Sequence, residues 1–356
     1  MSSSTSLDPS TSSKKDSLKD AHSSPSIGII NQHPPLSRSS LFPFRVGVSE
    51  DKNSTCRRMM EDCHCFIYDF AAVPDQGFFA IFDGHAGKDA AEFCGANLHE
   101  HLVNHLKQSP NLSVPEILNK SFHSVDEQLI KHTTGSGCTA VTAFIRLEDA
   151  NGTPLTSEQV ASASSSSIKR MLYTANVGDA RAVLARKGKA VRLTYDHKGS
   201  DVHEAKRITD AGGFIMKNRV NGVLAVTRSL GDSAMKDFVV GAPYTTETAL
   251  TDDDTWLVVA CDGLWDVCDD QLVVDTIMGL EDPQEASQVL LDKALRLFST
   301  DNLSVICVAL QPSKMPLSPH TPSQKTKTDG LESPNRNATP KSSLASSTNT
   351  STTPSS

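Results

Sequence analysis

The sequence predicts an α+β domain in which packed antiparallel β-sheets carry helices on their outer faces. Three observations lead there. Short β-rich runs outnumber helical ones. They come in consecutive groups, where a doubly wound parallel sheet would alternate strand with helix. The helical stretches are few, longer and amphipathic.

The strand-like runs, in chain order, are "FRVGVS", "CFIYDF", "GFFAIF", "CTAVTAFI", "MLYTANV", "ARAVLAR", "TWLVVAC" and "LSVICVAL", rich in the β-branched and aromatic residues that suit a pleated surface. A first helix is expected from near Gly87 to about Gln108. A second opens at "SVPE", where Ser113 and Glu116 have capping-box spacing. A third opens at "SDVHE" and stops at the Gly212-Gly213 pair. The last begins with Asp282 as N-cap and Pro283 at the first helical position. It places Ala286, Val289, Leu290, Ala294 and Leu297 on one apolar face. Residues 41–310 read as one domain.

The flanks differ. Residues 1–40 form a Ser-rich stretch without periodicity, and residues 311–356 one rich in Ser, Thr and Pro; both read as disordered tails. The second carries Ser318-Pro319, Thr321-Pro322, Ser333-Pro334, Thr339-Pro340 and Thr353-Pro354, which either serve proline-directed kinases or arise from composition alone. Residues 153–167, "TPLTSEQVASASSSS", read as a flexible loop inserted between strands.

Composition excludes several classes. No apolar stretch approaches the roughly 20 residues that span a bilayer, the N-terminal segment has no secretory h-region, and Ser2 stands where N-myristoylation needs glycine. The eight cysteines are scattered, mostly in apolar runs, as small core residues of a reducing compartment. Net charge is −8; the tails carry +1 and +3, so the middle segment carries −12. That balance disfavours nucleic acid as a partner and leaves room for cations.

The chemistry shows where strands end. "FFAIFDGH" closes a buried run on Asp83, and an uncompensated carboxylate there is expensive. "LVVACDGLWD" repeats the pattern with Asp262 and Asp266; Asp179 follows a strand in "TANVGDAR"; Asp301 precedes one in "TDNLSV"; Glu61 and Asp62 stand at the mouth of another. A single Asp-Gly pair is more often a turn than a ligand. Two at strand ends, joined by Glu61 and Asp301, favour a cation site, and hard oxygen donors without a His/Cys set suit Mg²⁺ or Mn²⁺ better than zinc. His64, between Cys63 and Cys65, reads as a hydrogen-bonded core histidine, because three adjacent strand residues cannot face one ion. Arg57 could pair with Glu61 on one face of an extended segment; beside a metal pair, its planar fork suits phosphate oxygens.

At this point the chain resembles the metal-dependent Ser/Thr protein phosphatases of type 2C. The stretches that carry the likeness are "RRMMEDCH", "FFAIFDGHAG", "GSGCTAV", "TANVGDARAVL", "LTYDHKGSDVHEAKRITDAGGFI", "RVNGVLAVTRSLGD", "VVACDGLWDV" and "TDNLSVICVAL". One "DGH" is weak; eight blocks in family order are specific. The resemblance implies two central antiparallel sheets sandwiched between helices, an α/β/β/α arrangement, with two Mn²⁺ or Mg²⁺ ions in a cleft at one end. It implies that Asp83 bridges both ions, Gly84 offers its carbonyl to one, Asp262 and Asp301 ligate one, and Glu61 the other. Asp62 would hold coordinated waters, Asp179 and Asp266 would match a weaker third site, Arg57 would bind the substrate phosphate, and His85 would protonate the leaving Ser/Thr oxygen. The implied function is hydrolysis of phosphoserine and phosphothreonine by a metal-activated bridging water. No membrane or nucleic-acid partner is expected, and the chain is expected to be a monomer. The short "RRMMED" block looks most like fungal members that damp stress-activated MAP-kinase signalling, with MAP kinases or their upstream kinases as substrates in cytoplasm and nucleus. A catalytically dead binding module would lack a ligand, and none is missing. A two-metal nuclease would need a basic stripe that this acidic domain lacks.

Overall fold

The computed structural model describes residues 40–132 and 135–311. Apart from Ser40 and Gln311, the two tails, with the five Ser-Pro and Thr-Pro pairs of the second, lie outside the described residues. The strands are β1 (Arg45–Asp51), β2 (Cys63–Tyr68), β3 (Gly77–Phe82), β4 (Gly84–His85), β5 (Gly137–Cys138), β6 (Ala140–Glu148), β7 (Lys169–Val177), β8 (Arg181–Arg186), β9 (Lys189–Arg192), β10 (Ile215–Met216), β11 (Arg219–Val220), β12 (Leu230–Gly231), β13 (Tyr244–Ala249), β14 (Asp254–Ala260) and β15 (Leu303–Ala309). The helices are α1 (Asp89–Gln108), α2 (Val114–His132), α3 (Ser157–Ser162), α4 (Val202–Asp210), α5 (Asp262–Trp265), α6 (Asp270–Ile277) and α7 (Pro283–Arg296).

Two five-stranded antiparallel sheets result, in the orders β1-β15-β14-β8-β9 and β13-β7-β6-β3-β2. Strand β3 shows how they stack. Its Phe78, Ala80 and Phe82 meet Leu98 and Leu102 of α1 and Phe122 and Leu129 of α2. Its Phe79 and Ile81 point the other way, into a core shared with Leu184, Leu257, Val259 and Ile306 of the other sheet. That second sheet turns Val258, Ala260, Val305 and Cys307 outward onto Val273, Leu290 and Ala294 of α6 and α7. The layers are therefore helix, sheet, sheet, helix, as expected. Inner strands are covered on both faces, so they read as unbroken apolar runs without alternation.

Helix ends follow local chemistry. Ser113 and Glu116 form the expected reciprocal cap, with the Ser113 amide donating to Glu116 Oε2 at 2.9 Å and the Glu116 amide to Ser113 Oγ at 3.4 Å. Asp201 caps α4 and Asp282 caps α7 through their side chains. Two expectations differ. Leu297 is exposed because α7 ends at Arg296, and Leu291 takes a buried place instead. Residues 153–167 contain α3, whose capping box (Thr156 with Gln159) and buried Val160 tie it to Leu147 and Ile168. The eight thiols are all free, and burial pushes Cys63 and Cys65 up to about 12, as inert core thiols. Among the described residues, no helix is long and apolar enough to cross a membrane.

Candidate metal centre

The predicted acids come together where β3, β7 and β14 end. Carboxylate oxygens of Asp83, Asp179 and Asp262 lie within 4.8 Å of one another, the one such cluster among the described residues. Burial pushes Asp83 well above the ordinary carboxylate range, and the charges of Asp262, Asp62, Asp179 and Asp301 push it the same way. Asp262 is raised by burial and then by Asp179 and Asp301. Asp62 is raised to about 6, chiefly by burial. One oxygen each of Asp62 and Asp179 is buried without a hydrogen-bond partner. Mutually repelling, under-satisfied carboxylates fit divalent cations, whose charge cancels the repulsion and whose coordination satisfies the orphaned oxygens.

Why the chain folds this way shows at the two glycines. Neither Gly84 nor Gly263 has a positive φ, so neither Asp-Gly pair is a glycine-dependent turn. Each glycine instead permits a close approach of backbone. A Cβ on Gly84 would lie 2.3 Å from the Glu61 carbonyl oxygen, and one on Gly263 would lie 2.1 Å from that of Asn302. The glycines thus let the segments carrying Glu61 and Asp301 press against the two aspartate-bearing strand ends. Gly84→Ala is expected to overpack this junction at a cost of ~1–3 kcal/mol and to weaken Mn²⁺ binding by ~10–100-fold. Calorimetric titration with Mn²⁺ beside a melting curve checks both.

The remaining predicted residues fall nearby with different partners. Glu61 lies outside the carboxylate cluster and accepts the Gly87 amide at 2.6 Å through Oε1. Residues 57–62 are not an extended strand, and Arg57 does not pair with Glu61. It reaches across the chain to the Asp301 carboxylate and to the Thr300 carbonyl oxygen at 3.2 Å, its side chain 42% exposed. Asp266 is exposed and binds Lys198 Nζ at 2.8 Å; the same ammonium stands 3.4 Å from Asp179. Burial alone would lower the Lys198 pKa, but Asp179 and Asp266 hold it above its ordinary value. His85 is half-buried on β4, its Nε2 at 2.9 and 2.8 Å from the two oxygens of Asp232. His64 is buried, as expected of a core histidine, but among the described residues the expected hydrogen bond is absent at Nδ1, which stands 3.3 Å from Glu50 as an ion-pair contact only.

Sequence reasoning missed three contributors. Asn302 is 3% exposed. It binds the Lys52 and Met59 carbonyl oxygens through Nδ2 and the Glu61 amide through Oδ1, shaping the loop that presents Glu61. Its only signal was adjacency to Asp301. Lys198 follows His197 in "DHKG", and Asp232 ends "SLGD"; neither has a partner visible in sequence.

A two-sheet sandwich that gathers half-buried carboxylates at its strand ends, beside an arginine and a histidine, defines a metal-dependent phosphoester hydrolase. The family model "Protein phosphatase 2C" matches residues 46–303. The chain is 47% identical to Protein phosphatase 2C homolog 1 of Saccharomyces cerevisiae, over 75% of this chain and 94% of that protein. It is 45% identical to the protein of the same name in Schizosaccharomyces pombe, over 74% and 73%. Among solved structures, a sex-determining protein of Caenorhabditis elegans superposes with a TM-score of 0.65 at 26% identity, covering 78% of this chain and 66% of that one. A Toxoplasma gondii phosphatase shares the fold with a TM-score of 0.62 at 24% identity, over 77% and 94%. The chain belongs to the protein phosphatase 2C family. Its activity is that family's metal-dependent hydrolysis of phosphoserine and phosphothreonine in proteins.

Proposed function

We propose that this phosphatase works with two Mg²⁺ or Mn²⁺ ions held by Glu61, Asp83, the Gly84 carbonyl, Asp262 and Asp301, with Asp179 and Asp266 forming a weaker third site. The observation that carries the reading is the crowding of Asp83, Asp179 and Asp262 within 4.8 Å, with Lys198 the one cation in ion-pair contact with them among the described residues. Bound divalent ions supply a more acidic water and neutralise phosphoryl charge.

The chain's own residues do the rest. Arg57 keeps its Nε on the Thr300 carbonyl and turns guanidinium donors to two phosphate oxygens, a geometry that its fork favours. The free oxygen of Asp62 accepts a hydrogen bond from the attacking water and orients it. As the bond from phosphorus to the Ser or Thr oxygen breaks, that oxygen takes the electron pair, and His85 delivers a proton to it. An alkoxide is a poor leaving group, so this donor is worth ~10²–10⁴-fold.

The test is hydrolysis of a phosphothreonine peptide by the full chain in Mn²⁺, in Mg²⁺ and in EDTA. Turnover in either metal and none in EDTA is the expected result; folded, metal-loaded protein that leaves the peptide intact over a broad pH range sinks it. In the cell we place it on kinase signalling, as a monomer in cytoplasm and nucleus acting on stress-activated MAP kinases or their upstream kinases. The short "RRMMED" block supports that assignment. MAP-kinase phosphorylation that is unchanged on loss of the gene counts against it.

A further inference from the structure

We infer that Asp232 is a positioning residue that holds the His85 imidazole in the orientation and tautomer for proton delivery. The inference rests on the general-acid reading of His85 and adds a residue to which that reading gives no role.

The backbone around the pair is built to bring them together across a sequence separation of 147 residues. A small sheet, β12-β5-β4, does so. His85 on β4 pairs with Gly137 on β5, and Gly137 pairs with Gly231 on β12, immediately before Asp232. The middle residue must lack a side chain: a Cβ on Gly137 would lie 2.1 Å from Asp232 Oδ2. The Asp232 carboxylate therefore passes over bare backbone to reach the ring.

Asp232 is itself held in place. Its backbone is left-handed (φ 50°, ψ 44°), which an aspartate tolerates at a cost that surrounding contacts must cover. Its amide donates to the Ser136 carbonyl at 3.1 Å, and Ser229 Oγ donates to Oδ2. The preceding Gly231 amide donates to Asp126 Oδ1 at 2.8 Å on α2, and Asp126 is in turn paired with Lys236 at 2.7 Å. With side-chain exposure of 9%, against 27% for the ring, Asp232 stands behind His85. Both carboxylate oxygens sit at hydrogen-bond distance from Nε2. An acceptor there keeps a proton on Nε2, so in the protonated ring the Nδ1 proton is the one passed to the leaving oxygen. The ring is left as the neutral tautomer with its proton on Nε2, held as a carboxylate holds an imidazole elsewhere.

The test uses the full chain loaded with Mg²⁺ and two substrates. A phosphothreonine peptide needs a proton on its leaving oxygen; p-nitrophenyl phosphate, which releases a stable phenolate, does not. His85→Gln should lower kcat on the peptide by ~10²–10⁴-fold and on the aryl ester by only about threefold. Asp232→Asn should show the same split, with a peptide loss of ~10–100-fold. Adding it to His85→Gln should cost nothing further, since both act through one ring. Gly137→Ala, which displaces Asp232 from behind, should reproduce the split. Equal losses on both substrates, or additive losses in the double variant, overturn the inference. If His85→Gln itself shows no split, the general-acid reading falls first and takes this one with it. A measurement without any variant guards against misfolding: ¹⁵N NMR of the His85 ring in the wild-type protein should find Nε2 protonated. A neutral ring protonated on Nδ1 instead overturns the inference.

Discussion

Asp262→Asn is expected to abolish phosphatase activity and, in EDTA, to raise the melting temperature. The substitution keeps the shape of the side chain and removes one negative charge from a cluster with too many. With metal, the lost ligand forfeits transition-state stabilisation of several kcal/mol, a fall of ~10³-fold or more in kcat. Without metal, burial and the charges of Asp179 and Asp301 make the ionised Asp262 a liability to the folded state. Neutralising it should raise the melting temperature of the chelated protein by ~2–6 °C at pH 7.5. Activity and apo stability thus move in opposite directions, which no general damage to the fold can produce. Turnover and melting curves in Mn²⁺ and in EDTA check the pair. Wild-type turnover in the variant, or lower apo stability, defeats the assignment.

The second large effect is the pH dependence of metal removal. In the metal-free fold Asp62 titrates near 6 where its ordinary value is 3.8. Asp83 and Asp262 are displaced the same way. Below about pH 4 these groups are protonated whether the chain is folded or not, so they cost nothing. As pH rises through 4 to 6 and beyond, the unfolded chain releases its protons more readily, and the apo fold loses stability. Divalent ions bind the deprotonated carboxylates and reverse that loss. Mg²⁺ at 100 to 1,000 times its dissociation constant should stabilise the fold by about 3–4 kcal/mol, roughly 5–15 °C. The gap between Mg²⁺ and EDTA melting curves should be wide at pH 7.5 and narrow at pH 5. A gap of equal width at both pH values would mean that these carboxylates are not the metal's ligands.

Much of the molecule was legible in the chain. Strand β3 is a run of six buried residues ended by an acid, and such a run can only be an inner strand. The caps at Ser113 and Asp282 are local chemistry and fall where expected, and Asp201 caps the helix that opens at "SDVHE". What escaped lies at the edges. Strand β13, "YTTETA", is a polar edge strand with one row of partners, and β9, "KAVR", is another. Neither needs an apolar run, so neither shows one. Helix α6 is eight residues long, too short for periodicity to separate it from the apolar strands around it.

For the site the division is sharper. Sequence alone determined that acids end the buried strands, that glycines follow two of them, and that a histidine and an arginine stand close by, because each of those facts is a matter of neighbours along the chain. Which acids meet was decided by tertiary structure. Asp83, Asp179 and Asp262 converge, whereas Asp266 turns to Lys198 and Asp301 to Arg57. The two Asp-Gly glycines were legible as residues but not as reasons: they serve close backbone approach, which depends on a segment remote in sequence. Asp232 carries no local mark at all. It reaches His85 only because three two-residue strands align around a glycine. Such contacts are set by sheet register between distant segments, and two-residue strands that each contain a glycine carry too little pattern to specify it.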